Sequence, residues 1–174
     1  MFELALNDGG RQAAGYKGKA GDCVVRAIVI AKCFELVEQG KDIPGEEYQS
    51  VVDGLKYEAK SLADNGRCRL ARGLRDNPKA MNPRTGVNKK IYDAFLKGLG
   101  WEWKAVMGIG TGCKVHVLPE ELPTIGPIIL RLSKHLSTVK VWHCLDSGKY
   151  GRIYDTYDSS RAGTRCVYGY YFKP

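Results

Sequence analysis

The chain has 174 residues, 44% of them hydrophobic and 26% charged, which suits one globular domain burying about 70% of its unfolded surface. No run approaches the ~20 apolar residues of a membrane span, and Met1-Phe2-Glu3-Leu4-Ala5-Leu6 lacks the basic and apolar regions of a signal peptide, so the expectation is a cytoplasmic protein with no membrane partner. The net charge of +8 excludes little but favours contact with something anionic: nucleic acid, an acidic protein or an acidic substrate.

Residues 1–22 read as an irregular lead-in. Asn7-Asp8-Gly9-Gly10 is a turn signal, and Gly15, Gly18 and Gly21 interrupt regular structure. A phosphate loop needs Lys-Ser or Lys-Thr at the helix start, and Cys23-Val24 stands there instead. Gly21-Asp22-Cys23 then opens a helix expected to run to about Gln39 and to stop at Gly40. The Asp22 side chain is expected to accept from the first-turn N–H groups. Cys23 lies in that first turn, where the positive end of the helix dipole favours a thiolate. The rest of the helix is apolar nearly all round, so it should be buried. The plain alternative for Cys23 is a buried core thiol.

Tyr48, Val51, Val52, Leu55 and Ala59 recur at helical spacing, so the pattern predicts a second helix over 45–63, ended by Asp64-Asn65-Gly66. From Arg67 to Lys90 eight basic residues face one acid, Asp76, and Pro78, Pro83 and Gly86 argue for a loop. Arg69, Arg72 and Arg75 are the candidates there for holding an anion, although the stretch has no aromatic residue on which a base could stack. Asn88 can cap a short helix carrying Ile91, Tyr92, Phe95, Leu96 and Leu99. Trp101 to Val106 alternates as a strand with both Trp on one face, as core residues would be, and Cys113 to Leu118 reads as another short strand.

The remainder reads as β structure: Pro127 to Leu132, then Leu136 to His143, a hairpin turn near Asp146-Ser147-Gly148-Lys149, Gly151 to Thr156, and Cys166 to Phe172. Helices first and strands last predict an α+β domain with an antiparallel sheet. The six cysteines, 23, 33, 68, 113, 144 and 166, are scattered and are expected to be mostly thiols rather than a disulfide framework.

A cysteine, a histidine opening a strand and an aspartate ending the next strand, in that order, supply the groups of a thiol hydrolase. Gly-Asp-Cys23 at a helix start, Ser-Lys-His135 before a strand and Ile-Tyr-Asp155-Thr-Tyr-Asp158 together resemble the papain-like cysteine protease superfamily. Most of the chain, including the ending Gly-Thr-Arg-Cys166-Val-Tyr-Gly-Tyr, more loosely resembles a group of small uncharacterised phage and bacterial proteins. The resemblance implies a single papain-like domain over residues 1–174, with 67–90 as a basic loop or insertion, and the host cytoplasm as its location if the origin is phage. It implies Cys23 as nucleophile, His135 as base and Asp155 as the residue orienting the ring. The Cys23 N–H with Gln12 or Asn7 would complete the oxyanion hole, because Lys17 stands where the family carries a Gln. The implied reaction is hydrolysis or acyl transfer at a peptide, isopeptide or amide bond of a protein or peptide substrate. The alternative is a non-enzymatic basic protein that binds nucleic acid or an acidic protein through 67–90.

His143 is the alternative base. A tight turn at 147–149 would set it opposite Asp155, whereas pairing Asp155 with His135 moves the hairpin centre to about Leu145. The opening of its strand after a Ser-Lys turn favours His135. Zinc at Cys113-x-x-His116 with His143-Cys144 is disfavoured, since adjacent strand residues point to opposite faces. No metal and no cofactor is expected.

Overall fold

A computed structural model describes residues 1–18 and 21–174; Lys19 and Ala20 of the lead-in lie outside the described residues. The architecture is α+β: helices stand on one face of a six-stranded mixed sheet. The helices are α1 (Cys23–Lys32), α2 (Phe34–Glu38), α3 (Gly45–Asn65), α4 (Arg69–Asp76) and α5 (Lys89–Gly98). The strands are β1 (Phe2–Leu6), β2 (Glu102–Ala105), β3 (Ile128–Leu132), β4 (His135–Cys144), β5 (Gly148–Asp155) and β6 (Gly169–Phe172). Their order across the sheet is β1-β5-β4-β3-β6-β2.

Four expectations need correction. The lead-in is not wholly irregular: Phe2–Leu6 is an edge strand running parallel to β5, so the sheet is mixed rather than antiparallel. Phe2 anchors it by packing where Gly151 has no side chain, since a Cβ there would come within 2.3 Å of the Phe2 ring. The first helix breaks at Cys33 (φ −101°, ψ 27°), where Phe34 turns inward to meet the edge of the Tyr154 ring at 5.1 Å. The basic stretch 67–90 is not a loop. Ala71 and Leu74 are buried on one side of α4, and 3-10 turns at Pro78–Met81 and Pro83–Thr85 lead on to α5. Residues 113–118 form no strand; a single bridge pairs His116 with Cys166.

Alternation along the strands sorts the core onto two faces. Ile129, Leu136, Tyr154 and Tyr171 meet the helices, with Val24, Val25 and Ala27–Ala31 of α1 between the sheet and α3. Thr138 Oγ1 donates to the Ala27 carbonyl (2.7 Å), tying the middle of α1 to β4. Ile128, Leu130, Val139, Val141, Ile153 and Tyr170 line the other face, covered by the segment carrying Val115, Val117 and Leu122.

A disulfide between Cys113 and Cys166 joins that covering segment to the chain entering β6, while Cys23, Cys33, Cys68 and Cys144 are free thiols. The expectation of thiols therefore fails for one pair, which the bridge at His116 brings together from positions 53 residues apart. Closing a loop of that length constrains the unfolded chain by about 4 kcal/mol in the chain-entropy account. Urea unfolding of the oxidised protein, followed by Trp fluorescence, should show a higher midpoint than unfolding in dithiothreitol. The difference should vanish in Cys113→Ser/Cys166→Ser.

Candidate active site

The N-terminus of α1, the start of β4 and the end of β5 meet at one point. Ser133-Lys134 is a two-residue connection in register Leu132↔His135, with Lys134 in the left-handed region (φ 54°), so His135 opens β4 directly. The β4–β5 hairpin pairs Cys144 with Gly148 and Thr138 with Tyr154, which centres it on Asp146. Asp155 follows Tyr154 and lies beside Ser137, one diagonal step from His135. His143 pairs with Lys149 near the exposed hairpin tip, far along the strand from this point.

The contacts are short and buried. His135 Nε2 lies 2.6 Å from Asp155 Oδ2, and Ser137 Oγ donates to the same oxygen at 2.9 Å. Asp155 Oδ1 accepts from the Thr156 N–H (2.7 Å) and from Arg26 Nη1 (3.2 Å). With Nε2 committed to Asp155, Nδ1 is the ring nitrogen left for the Cys23 thiol. Burial alone would raise the Cys23 pKa. Hydrogen bonding to His135 and to the Leu136 backbone, with the charges of His135 and Arg26, outweighs it and holds the thiol below its ordinary value. His135 is the converse: burial lowers it, but Asp155 and Cys23 raise it further, so the imidazolium is favoured. Asp155 would be raised by burial, yet His135, the Thr156 N–H and Arg26 keep it ionised. In each case the shift favours the charged form, so thiol, imidazole and carboxylate support one another's ionisation.

Asp22 does not cap α1: its side chain makes no hydrogen bond to the first turn. Fully buried, its Oδ1 accepts from Arg26 Nε (3.0 Å) and lies 3.6 Å from Arg11 Nη1, while Oδ2 accepts from the Tyr48 hydroxyl (2.6 Å). The first-turn N–H groups are thus left without that carboxylate as partner. Arg26 bridges Asp22 to Asp155 and donates also to Thr156 Oγ1 (2.6 Å). One signal in the sequence marks it, a lone charge in the apolar run Val24-Val25-Arg26-Ala27-Ile28, since a charge at such a position must be paired.

Cys23 opens into a cleft of about 580 Å³, bordered by Asn88, Tyr92, Arg131, Lys134 and Tyr168. Neither oxyanion candidate lines it. Asn7 Oδ1 is folded back on the Gly9 N–H (2.8 Å), and both Asn7 and Gln12 border a separate cavity beyond Thr156. The lead-in is drawn to that side because Gly9 and Gly10, both at positive φ, pack against the backbones of Arg26 and Ile43. Of the anion-binding candidates, Arg75 is engaged in the fold, donating to the Ala63 and Gly66 carbonyls at the end of α3 (2.5 and 2.9 Å). Arg69 and Arg72 are exposed on α4.

Among the described residues one group of three could converge on a metal, Cys113, His116 and Cys166, with ligand atoms within 4.8 Å of one another. Two of these sulfurs are joined as the disulfide, and His116 Nδ1 lies 3.3 Å from Glu121 Oε2. His143 and Cys144 belong to the distant hairpin and do not join them. Among the described residues no helix is long and apolar enough to cross a membrane. No family model matches the chain, and no curated protein or solved structure matches it significantly.

Replacing Arg26 by Met leaves two buried carboxylates without their shared cation. Urea unfolding should show a loss of about 3–5 kcal/mol, the usual cost of breaking a buried ion pair from one side. His135→Ala should raise the Cys23 pKa, read from thiolate absorbance near 240 nm or from alkylation rate against pH. His143→Ala should leave it in place; the reverse result would overturn the pairing of His135 with Cys23. Cys33, pushed up to about 11 by burial and by Glu47, should stay largely unalkylated at pH 7 in both variants.

Proposed function

We propose that the protein is a cysteine-dependent hydrolase or acyl transferase of papain-like fold, acting on a peptide, isopeptide or amide bond through Cys23, His135 and Asp155. The observation that carries this reading is the mutual support of these three groups. His135 Nε2 is bonded to the Asp155 carboxylate, the same imidazole borders the cleft of Cys23 at the mouth of α1, and it lowers the thiol as the thiol raises it. A merely buried cysteine would be raised instead, as Cys33 is.

The chemistry follows from those states. The Cys23 thiolate attacks the carbonyl carbon, forming a C–S bond and moving the carbonyl π electrons onto oxygen. The N–H groups of Cys23 and Val24, left uncapped by the Asp22 side chain, supply oxyanion stabilisation, strengthened by the dipole of the ten-residue α1. The His135 imidazolium gives its proton to the leaving amine as the C–N bond breaks. Neutral His135 then takes a proton from water, or from an acceptor amine or alcohol, as that group attacks the thioester. Collapse breaks the C–S bond and restores the thiolate–imidazolium pair. Asp155 keeps Nε2–H in place throughout, so Nδ1 faces sulfur and substrate. Ser137 and Arg26 fix the carboxylate in turn.

Incubation with p-nitrophenyl acetate tests this without knowledge of the natural substrate. An acetyl thioester should accumulate on the Cys23 peptide in mass spectrometry and be absent in Cys23→Ala. His135→Ala should slow p-nitrophenol release by about 10²–10⁴-fold. The rate should fall at low pH as the Cys23 thiolate is protonated. In turnover of an amide it should fall again at high pH as the His135 imidazolium deprotonates. Because the first pKa is lowered and the second raised, the plateau should begin at lower pH than an ordinary thiol allows and extend to higher pH than an ordinary imidazolium allows. A single rise near the ordinary thiol pKa, with Cys33 or Cys144 acylated instead, would refute the assignment.

A further inference from the structure

The cleft that receives the Cys23 sulfur carries fixed charge of one sign only. Lys89, Arg131 and Lys134 border it, and among the described residues no carboxylate does. Lys89 is paired behind the wall with Asp93 (2.5 Å), but neither Arg131 nor Lys134 has a carboxylate partner among the described residues. Arg131 is also held in place. It lies on β3 in register with Leu136, next to the Leu132–His135 pair, and its guanidinium carbon is 5.6 Å from the centre of the Tyr168 ring. The Tyr168 N–H donates to the Arg131 carbonyl (2.9 Å), which holds the two backbones side by side. Tyr92, buried on α5 at the same cleft, lies within electrostatic reach of both Arg131 and Cys23. Beyond Arg131 the cleft continues into a second hollow of about 360 Å³, bordered by Lys89, Trp103, Met107 and Ile109, again with no carboxylate.

From this placement we infer that the site takes an acyl substrate bearing a carboxylate close to the reacting carbonyl, held by Arg131 with Lys134, and followed by an apolar group over Trp103 and Met107. This rests on the reading of Cys23 as nucleophile and adds the substrate class to it. A guanidinium oriented by an aromatic face offers a carboxylate two parallel N–H donors, which a lysine cannot match. Cationic walls of low polarisability also concentrate anions at the thiol, by an amount that falls steeply with salt. An acidic side chain within a peptide and a free chain terminus are the two sources of such a carboxylate; both present the same group to Arg131.

Iodoacetate and iodoacetamide test the inference, because they alkylate a thiolate by the same displacement and differ in one carboxylate. The iodoacetate-to-iodoacetamide rate ratio at Cys23, divided by that of N-acetylcysteine amide, should be about tenfold at low salt and shrink as NaCl is added. Arg131→Gln should bring it close to one, Lys134→Gln should lower it partly, and Lys140→Gln, outside the cleft, should leave it unchanged. A ratio near one in the native protein, or one indifferent to Arg131→Gln, overturns the inference while leaving the nucleophile intact. If Cys23 reacts with neither reagent, the nucleophile reading is what fails. Calorimetric titration with N-acetylglutamate amide and N-acetylglutamine amide then decides the cleft separately. Tighter binding of the glutamate derivative, lost in Arg131→Gln, supports it; equal binding overturns it. Peptides with an internal Glu and an amidated end, compared with peptides ending in a free carboxylate, distinguish the two sources.

Discussion

A file of alternating charges threads the interior from the lead-in to the thiol: Arg11, Asp22, Arg26, Asp155, His135, Cys23. Each buried member would be costly alone, since taking an isolated ion out of water costs several kcal/mol even after relaxation. None is alone. Asp22 and Asp155 each accept hydrogen bonds from several donors, and Arg26 lies between them, set in the apolar run Val24 to Ala31 of α1. The arrangement ties α1 to β5 in one direction and to α3 through Tyr48 in the other. It therefore locks the helix whose mouth carries Cys23 against the strand whose end carries Asp155. In its ionised state the thiol–imidazole pair continues the alternation, so the charges that hold the layers together also favour the reactive form of the sulfur.

The free cysteines illustrate how much of this is local surroundings rather than residue type. Cys23 and Cys33 lie on the same helical stretch, ten residues apart, and move in opposite directions. Both pay for burial. Cys23 recovers more than the cost from the His135 imidazole, the Leu136 backbone and the Arg26 charge, whereas Cys33 finds the Glu47 carboxylate close by and is raised further. A helix dipole alone does not produce so large a contrast. The thiol that can act as a nucleophile is set apart by its neighbours across the sheet.

The sheet carries those neighbours by its ends rather than its middle. His135 begins β4, Asp155 ends β5, and the tight Ser133-Lys134 turn keeps Arg131 on β3 within the same cleft. The parallel edge strand β1 contributes indirectly, because its exit at Asn7, whose N–H donates to the Asp155 carbonyl, sends the lead-in across the back of Arg26. That path leaves Asn7 and Gln12 on the far side of Asp155, facing other space.

The helix opening at Cys23, the helix over 45–63, the late strands and the contact of His135 with Asp155 were legible in the sequence, because capping signals, alternation and turn chemistry act over a few residues and leave local marks. The α-helical character of 69–76 was not: its apolar face is only Ala71 and Leu74, buried, with Leu70 partly so, amid arginines that read as a loop. Nor was the parallel edge strand, whose partner lies almost the whole chain away. Which of His135 and His143 lies beside Asp155 depended on a hairpin centre that composition left ambiguous by a few residues, and only the register Thr138↔Tyr154 set it. Asp22 was legible as a cap and became the partner of Arg26, since a buried guanidinium outcompetes solvated backbone N–H groups for a carboxylate. Local rules settle what each segment can be. Which charges must find one another is decided only when the layers close, because the cost of leaving a charge unpaired arises only once water is gone.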